Sequence, residues 1–240
     1  ALRPLGIRPE HIKLVMSDTA LTPNSGPSGG SRQQVVTGNA IKSGCELLLA
    51  AMKKPDGTYR TFDEMVKENI PLRYSGKWTA SMCTPCDENA QGKPFSTYMY
   101  GVFMAEVAVN TDTGKTTVER YTAVADMGKI NNKLVVDGQL WGGIAQGVGL
   151  ALSEDFEDVD RHTTLNACGL PYISDIPDDI ELLYVQTPRI GPFGAGGAGE
   201  LTLTAPHVAI LNAIKNATGV RIHRPPALPE KILEGLKALS

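Results

Sequence analysis

The segment from Tyr98 to Met127 constrains this chain more than any other. YMYGVFMAEVAVN alternates as a strand does, TDTG follows as a turn, and KTTVERYTAVADM returns as a second strand. Two period-two runs joined by a short Asp/Thr/Gly turn read as a β-hairpin. A hairpin must bury one face against something else, and residues 131–155, NNKLVVDGQLWGGIAQGVGLALSED, read as a long helix able to do so. A third strand is expected at IELLYVQTP. Helices are expected at APHVAILNAIKNATG, capped by Thr204 and stopped by Gly219, and after Pro229.

Upstream, residues 11–16 read as a short strand, and SDTALTPNSGPSGGS as a turn-rich loop. A helix is expected from Arg32, with Ser31 as its N-cap and Gln34 completing a capping box. Gly38 and Gly44 inside it weaken helix propensity and point to close packing. The stretch from Pro55 to Pro94 is polar and irregular, with a short helix at Thr61–Glu68. Hairpin strands interleaved with long helices argue for an α+β fold with mixed sheets and packed helices, not a doubly wound parallel sheet.

Composition narrows the function classes. The 240 residues are 42% hydrophobic and 20% charged, which suits one large domain or two small ones. A net charge of -3, with no basic stripe, gives no footprint for nucleic acid. No apolar run is long enough to span a bilayer, and ALRPLGIRPEH does not read as a signal peptide, so the cytoplasm is the default location. The chain opens on Ala1 and not on Met, so a fragment of a longer polypeptide is expected. The four cysteines form no secreted disulfide pattern. Cys83 and Cys86 have the C-x-x-C spacing, but no second ligand pair accompanies them, and they read as reduced thiols in a loop.

Three places carry chemistry. SGPSGGS leads into a helix start, where backbone N–H groups and the helix dipole favour an anion. Ser25, Ser28 and Ser31 add hydroxyl donors there, and Arg32 adds a positive fork. The bland reading is a plain capped helix start. Gln139, in DGQLWGG, can donate and accept together at the edge of a heterocycle, or it is a surface glutamine. Gly138 and Gly142 are four apart, as are Gly143 and Gly147, and this spacing lets a backbone or a ligand come close. GPFGAGGAGE, residues 191–200, lines up bare backbone and ends it in one acid. Either this is a flexible surface loop, or backbone is held close to a ligand with Glu200, partly buried, as the acid or base.

Taken in order, PNSGPSGGSRQ, DGQLWGGIAQGVGLAL and GPFGAGGAGE followed by LTLTAPHVAILNAIKNATGVRI resemble the carboxy-terminal part of the xanthine oxidase family of molybdenum hydroxylases. Within that family the chain is most similar to the molybdenum-binding domain of bacterial aldehyde oxidoreductases that carry molybdopterin cytosine dinucleotide. The resemblance covers nearly the whole chain, so residues 1–240 are expected to form the C-terminal part of a catalytic, molybdenum-cofactor-binding domain.

The resemblance implies that Glu200 is the active-site base and that the glycine loop, with Gly197 and Gly199, lies beside the metal. It implies that Gly29, Gly30, Ser31, Arg32 and Gln33 hold the cofactor's phosphates and pterin, and that Gln139 contacts the pterin. The pterin dithiolene, and no protein side chain, holds molybdenum. The [2Fe–2S] clusters and the preceding half of the molybdenum domain belong to the missing part of the parent, which is expected to be a homo-oligomer acting on an aldehyde. The chain alone is expected to lack activity. Within the family a purine or N-heterocycle hydroxylase is the alternative. Outside it stand a non-enzymatic nucleotide- or phosphate-binding module and a structural docking domain.

Overall fold

The computed structural model describes residues 1–240, which divide into two compact units. The first comprises residues 1–97 and 190–195, and the second residues 98–189 and 196–240.

The first unit is organised on helix α1, Gln33–Met52. Its glycines are contact points, as expected. A Cβ on Gly38 would lie 2.7 Å from Cγ of Pro192, and one on Gly44 would lie 3.1 Å from the backbone nitrogen of Gly76. Helix α2, Phe62–Lys67, falls inside the expected short helix. Thr61 caps it, and the Glu64 side chain reaches back to the Thr61 N–H, so this helix has the capping box. The box expected at Ser31 and Gln34 does not form. Gly30 and Ser31 are left-handed, with φ of 62° and 54°, whereas an N-cap residue needs extended backbone. Arg32 precedes α1 in a helical conformation without a side-chain cap.

The strand expected at residues 11–16 is also absent. Pro9–His11 forms a 3-10 turn, and the residues after it join no ladder. Strand character in Ile12, Leu14, Val15 and Met16 has no partner strand to express it, and these side chains are exposed.

The second unit is built on a three-stranded sheet. Strand β1, Tyr100–Val109, pairs antiparallel with β2, Thr116–Asp126, and β2 pairs parallel with β3, Asp179–Val185. The sheet is therefore mixed. The hairpin turn is closed by the Asn110 side chain, which accepts from the N–H groups of Asp112 and Thr113 at 3.0 and 2.9 Å. The parallel return from β2 to β3 needs a crossover, which helix α3, Lys133–Leu152, begins. Asn132 caps α3 by accepting from the Val135 N–H.

One face of the sheet is buried. Tyr121, Ala123 and Ala125 of β2 share a core with Leu140, Ile144 and Val148 of α3. Helices α4, Leu201–Thr204, α5, Pro206–Thr218, and α6, Pro229–Leu239, follow β3, and Ile210, Ile214 and Ile232 complete this core. The Tyr121 hydroxyl donates to the Pro206 carbonyl at 3.1 Å, and burial pushes its pKa up. Thr204 does not cap α5 as expected. It ends α4, with its hydroxyl on the Leu201 carbonyl, and α5 starts with Pro206 in its first turn. The other face of the sheet leaves Tyr100, Val102, Met104, Leu183 and Val185 exposed.

Candidate functional site

The glycine-rich segment is fastened at both ends to the end of β2. On its approach, the Thr187 N–H donates to Asp126 Oδ1 at 3.1 Å and the Arg189 guanidinium to Asp126 Oδ2 at 2.9 Å. Burial pushes the Asp126 carboxyl up, but hydrogen bonds from Thr187 and Gly128 and the Arg189 charge outweigh it and hold it below its ordinary value. On the way out, the Gly196 N–H donates to the Met127 carbonyl at 2.8 Å. A Cβ on Gly196 would lie 2.8 Å from that same oxygen, so only glycine makes this return unstrained.

Residues 190–195 count with the first unit. There the Gly191 N–H donates to the Ala195 carbonyl at 3.0 Å, and Phe193 takes a left-handed φ of 56°. Asn39 of α1 donates to the Ile190 carbonyl at 2.9 Å. This is tied backbone, not a loose loop.

Glu200 closes the segment immediately before α4. Its side chain is exposed, not partly buried as expected. In this turn the buried position falls to Thr202. Gly197 is buried and Gly199 half-buried. The Thr202 hydroxyl donates to the Gly199 carbonyl at 2.7 Å, and the Leu203 N–H to the Glu200 carbonyl at 3.2 Å.

Helix α3 divides its two glycine pairs between two roles. A Cβ on Gly143 would lie 2.2 Å from the Thr202 carbonyl oxygen, and one on Gly147 would lie 2.3 Å from Cβ of Pro206. That pair is the seat of α4 and α5. Gly138 and Gly142 have nothing within 4 Å of a Cβ position. Their bare backbone flanks the exposed Gln139, so this stretch of α3 offers an amide and accessible peptide surface together. Gln139 and Gly143 are one helical turn apart, so the turn that carries Glu200 is seated one turn along α3 from Gln139.

In the first unit, Gly29 and Gly30 are exposed and have nothing within 4 Å of a Cβ position. The left-handed Gly30 and Ser31 lead into α1 at Gln33. Arg32 differs from expectation. Its Nη1 donates to the carbonyls of Ser25 and Pro27 at 3.2 and 3.1 Å, so the guanidinium braces its own loop. Gln33 is bonded to the Thr37 hydroxyl. Of the residues expected at the site, Gln139, Gly197, Gly199 and Glu200 lie in the second unit, and Gly29 to Gln33 in the first. Sequence reasoning missed Asp126, Arg189 and Thr202, because their roles depend on partners far away in the chain or on burial.

Residues 1–177 match the family model described as molybdopterin cofactor-binding domain. The chain is 60% identical over 240 residues to an aldehyde oxidoreductase of Megalodesulfovibrio gigas, covering 99% of this chain and 26% of that protein. The solved structure of the aldehyde oxidoreductase from Desulfovibrio gigas superposes with a TM-score of 0.96 at 60% identity, over 98% of this chain and 26% of that one. The corresponding enzyme from Desulfovibrio desulfuricans gives 0.94 at 62% identity, again over 98% and 26%. The chain therefore spans about a quarter of the length of these relatives. It belongs to the molybdopterin cofactor-binding domains of the xanthine oxidase family of molybdenum hydroxylases.

Proposed function

We propose that this chain is the C-terminal part of the catalytic domain of a molybdenum-dependent aldehyde oxidoreductase and carries its active-site base, Glu200. The observation that supports this best is the Glu200 turn itself. A solvent-reached carboxylate stands at the end of a bare glycine backbone fastened at both ends.

Each unit by itself offers residues that suit one part of a large cofactor, the second unit a heterocycle and the first unit phosphate. Gly138 and Gly142 leave open backbone beside the Gln139 amide, which suits the edge of a pterin. Gly29 and Gly30 leave open space beside the backbone that leads into α1, which suits phosphate. When bound, the cofactor supplies the two-electron oxidation, in which aldehyde and water give carboxylic acid, two protons and two electrons. Glu200 accepts one proton as the attacking oxygen forms its bond to the carbonyl carbon. The carboxylate suits this because its oxygens can take up a proton and its turn is preorganised.

The SGGSRQ loop at residues 28–33 favours the cytosine dinucleotide form of the cofactor. The electrons leave through [2Fe–2S] clusters held elsewhere in the longer protein. The four cysteines here are all free and suit a reducing compartment such as the cytoplasm.

The test is molybdenum content and acid-released nucleotide, by mass spectrometry, on the full-length enzyme and its Glu200→Gln variant. Molybdenum and CMP in both proteins, with turnover of aldehydes only in the wild type, is the expected result. Retained turnover in Glu200→Gln would exclude Glu200 as the base, and molybdenum without CMP would exclude the dinucleotide.

A further inference from the structure

We infer that Thr202 is a positioning residue for Glu200 and acts through its hydroxyl. This rests on the reading of Glu200 as the base. Thr202 is 2% exposed, so its hydroxyl is buried with it. A hydroxyl taken out of water must find a partner. This one turns back across Glu200 and donates to the Gly199 carbonyl at 2.7 Å. The carbonyl on the other side, that of Glu200, accepts from the Leu203 N–H at 3.2 Å. The peptides before and after the Glu200 Cα are therefore both tied down. Gly199 has no side chain to fix its own rotation, so the hydroxyl supplies the restraint that a glycine-rich backbone lacks.

The same residue registers the turn on α3. A Cβ on Gly143 would lie 2.2 Å from the Thr202 carbonyl oxygen and 2.5 Å from its Oγ1. Thr202 thus rests directly on helix backbone one turn from Gln139. One side chain sets the peptide that presents the base and seats it on the helix that offers the amide. The two tied peptides fix the direction in which the Glu200 side chain leaves the backbone.

Three variants of the full-length enzyme test this: Thr202→Val, which keeps the shape and loses the donor, Thr202→Ser, which keeps the donor, and Glu200→Gln. Steady-state kinetics, molybdenum content and a crystal structure of the valine variant are the readouts. The expected result is a kcat about 10- to 100-fold lower in Thr202→Val, the cost of misplacing a reacting group by an ångström or less. KM and molybdenum content stay at wild-type values, Thr202→Ser recovers most of kcat, and the Glu200 carboxylate is displaced in the crystal. Wild-type kcat in Thr202→Val beside an inactive Glu200→Gln overturns the inference and spares the base. Turnover retained by Glu200→Gln overturns the base itself. If the valine variant does not accumulate, Thr202→Ala and Thr202→Ser decide. Equal kcat in these two means that the hydroxyl has no such role.

Discussion

Asp126 and Arg189 lie 2.9 Å apart, carboxylate to guanidinium, where the chain leaves the sheet for its glycine-rich segment. Their side chains are 13% and 12% exposed. Arg189 also donates to the Tyr98 carbonyl at 3.0 Å, so one cation ties the starts of β1 and of the glycine segment to the end of β2. Removing one partner leaves a largely buried charge alone, which costs about 3 kcal/mol. Asp126→Ala is expected to lower chain stability by about that much, and Asp126→Asn by roughly half, since the amide still accepts from backbone. The Asp126 carboxyl is held below its ordinary value in the folded chain. Its contribution is therefore full above the unfolded pKa of about 4 and is lost as pH falls through the lower folded value. Urea midpoints against pH check this. Wild type and Asp126→Asn should converge in acid, and identical midpoints at pH 7 would sink the idea.

The two glycine pairs of α3 should answer alanine in opposite ways. Gly143→Ala and Gly147→Ala place a methyl 2.2 to 2.3 Å from Thr202 and Pro206 and must push α4 and α5 away. Overpacking of this kind costs about 1–3 kcal/mol. Gly138→Ala and Gly142→Ala meet nothing within 4 Å, so each should stabilise the chain by about 0.4–1 kcal/mol through the helix-forming preference of alanine. In the full-length enzyme those same two substitutions should lower molybdenum content, because the methyl stands where the cofactor is proposed to lie. Thermal melts on the chain and metal analysis on the enzyme read the two effects separately. Full molybdenum content in both would remove the cofactor from that face.

Much of this was legible before folding. The hairpin, the long α3 helix and helices α5 and α6 follow from periodicity and turn signals, because each is a local pattern with one dominant solution, whereas the short α4 was not foreseen. Residues 12–16 carry the same kind of pattern and form no strand, since a ladder needs a partner that local sequence cannot supply. Ser31 has the chemistry of an N-cap but sits at a left-handed φ of 54°, and backbone geometry overrides side-chain preference there. At the site, the glycine segment and Glu200 were visible as composition. The Asp126–Arg189 tie was not, because its partners are 63 residues apart. Nor was Thr202, whose neighbour Thr204 offers the same hydroxyl until burial separates the two.

The capping box of α2 gives the last prediction. Glu64 accepts from the Thr61 N–H at 2.7 Å and from Lys54 Nζ at 2.8 Å. The hydrogen bond from Lys54, then that from the Thr61 backbone, depress its pKa from the ordinary 4.5 to about 2. A depressed carboxyl stabilises the fold fully above its unfolded pKa, and the gain is lost as pH falls toward the folded one. Protection of the Thr61 and Glu64 amides from hydrogen exchange should therefore hold at pH 6 and decline between about pH 4.5 and 2, measured against core amides such as Ile144. Glu64→Gln can still close the box through its side-chain oxygen but cannot titrate. Its amides should be less protected than wild type at pH 6 and show no such decline. A wild-type decline surviving in Glu64→Gln would place the acid sensitivity elsewhere in the first unit.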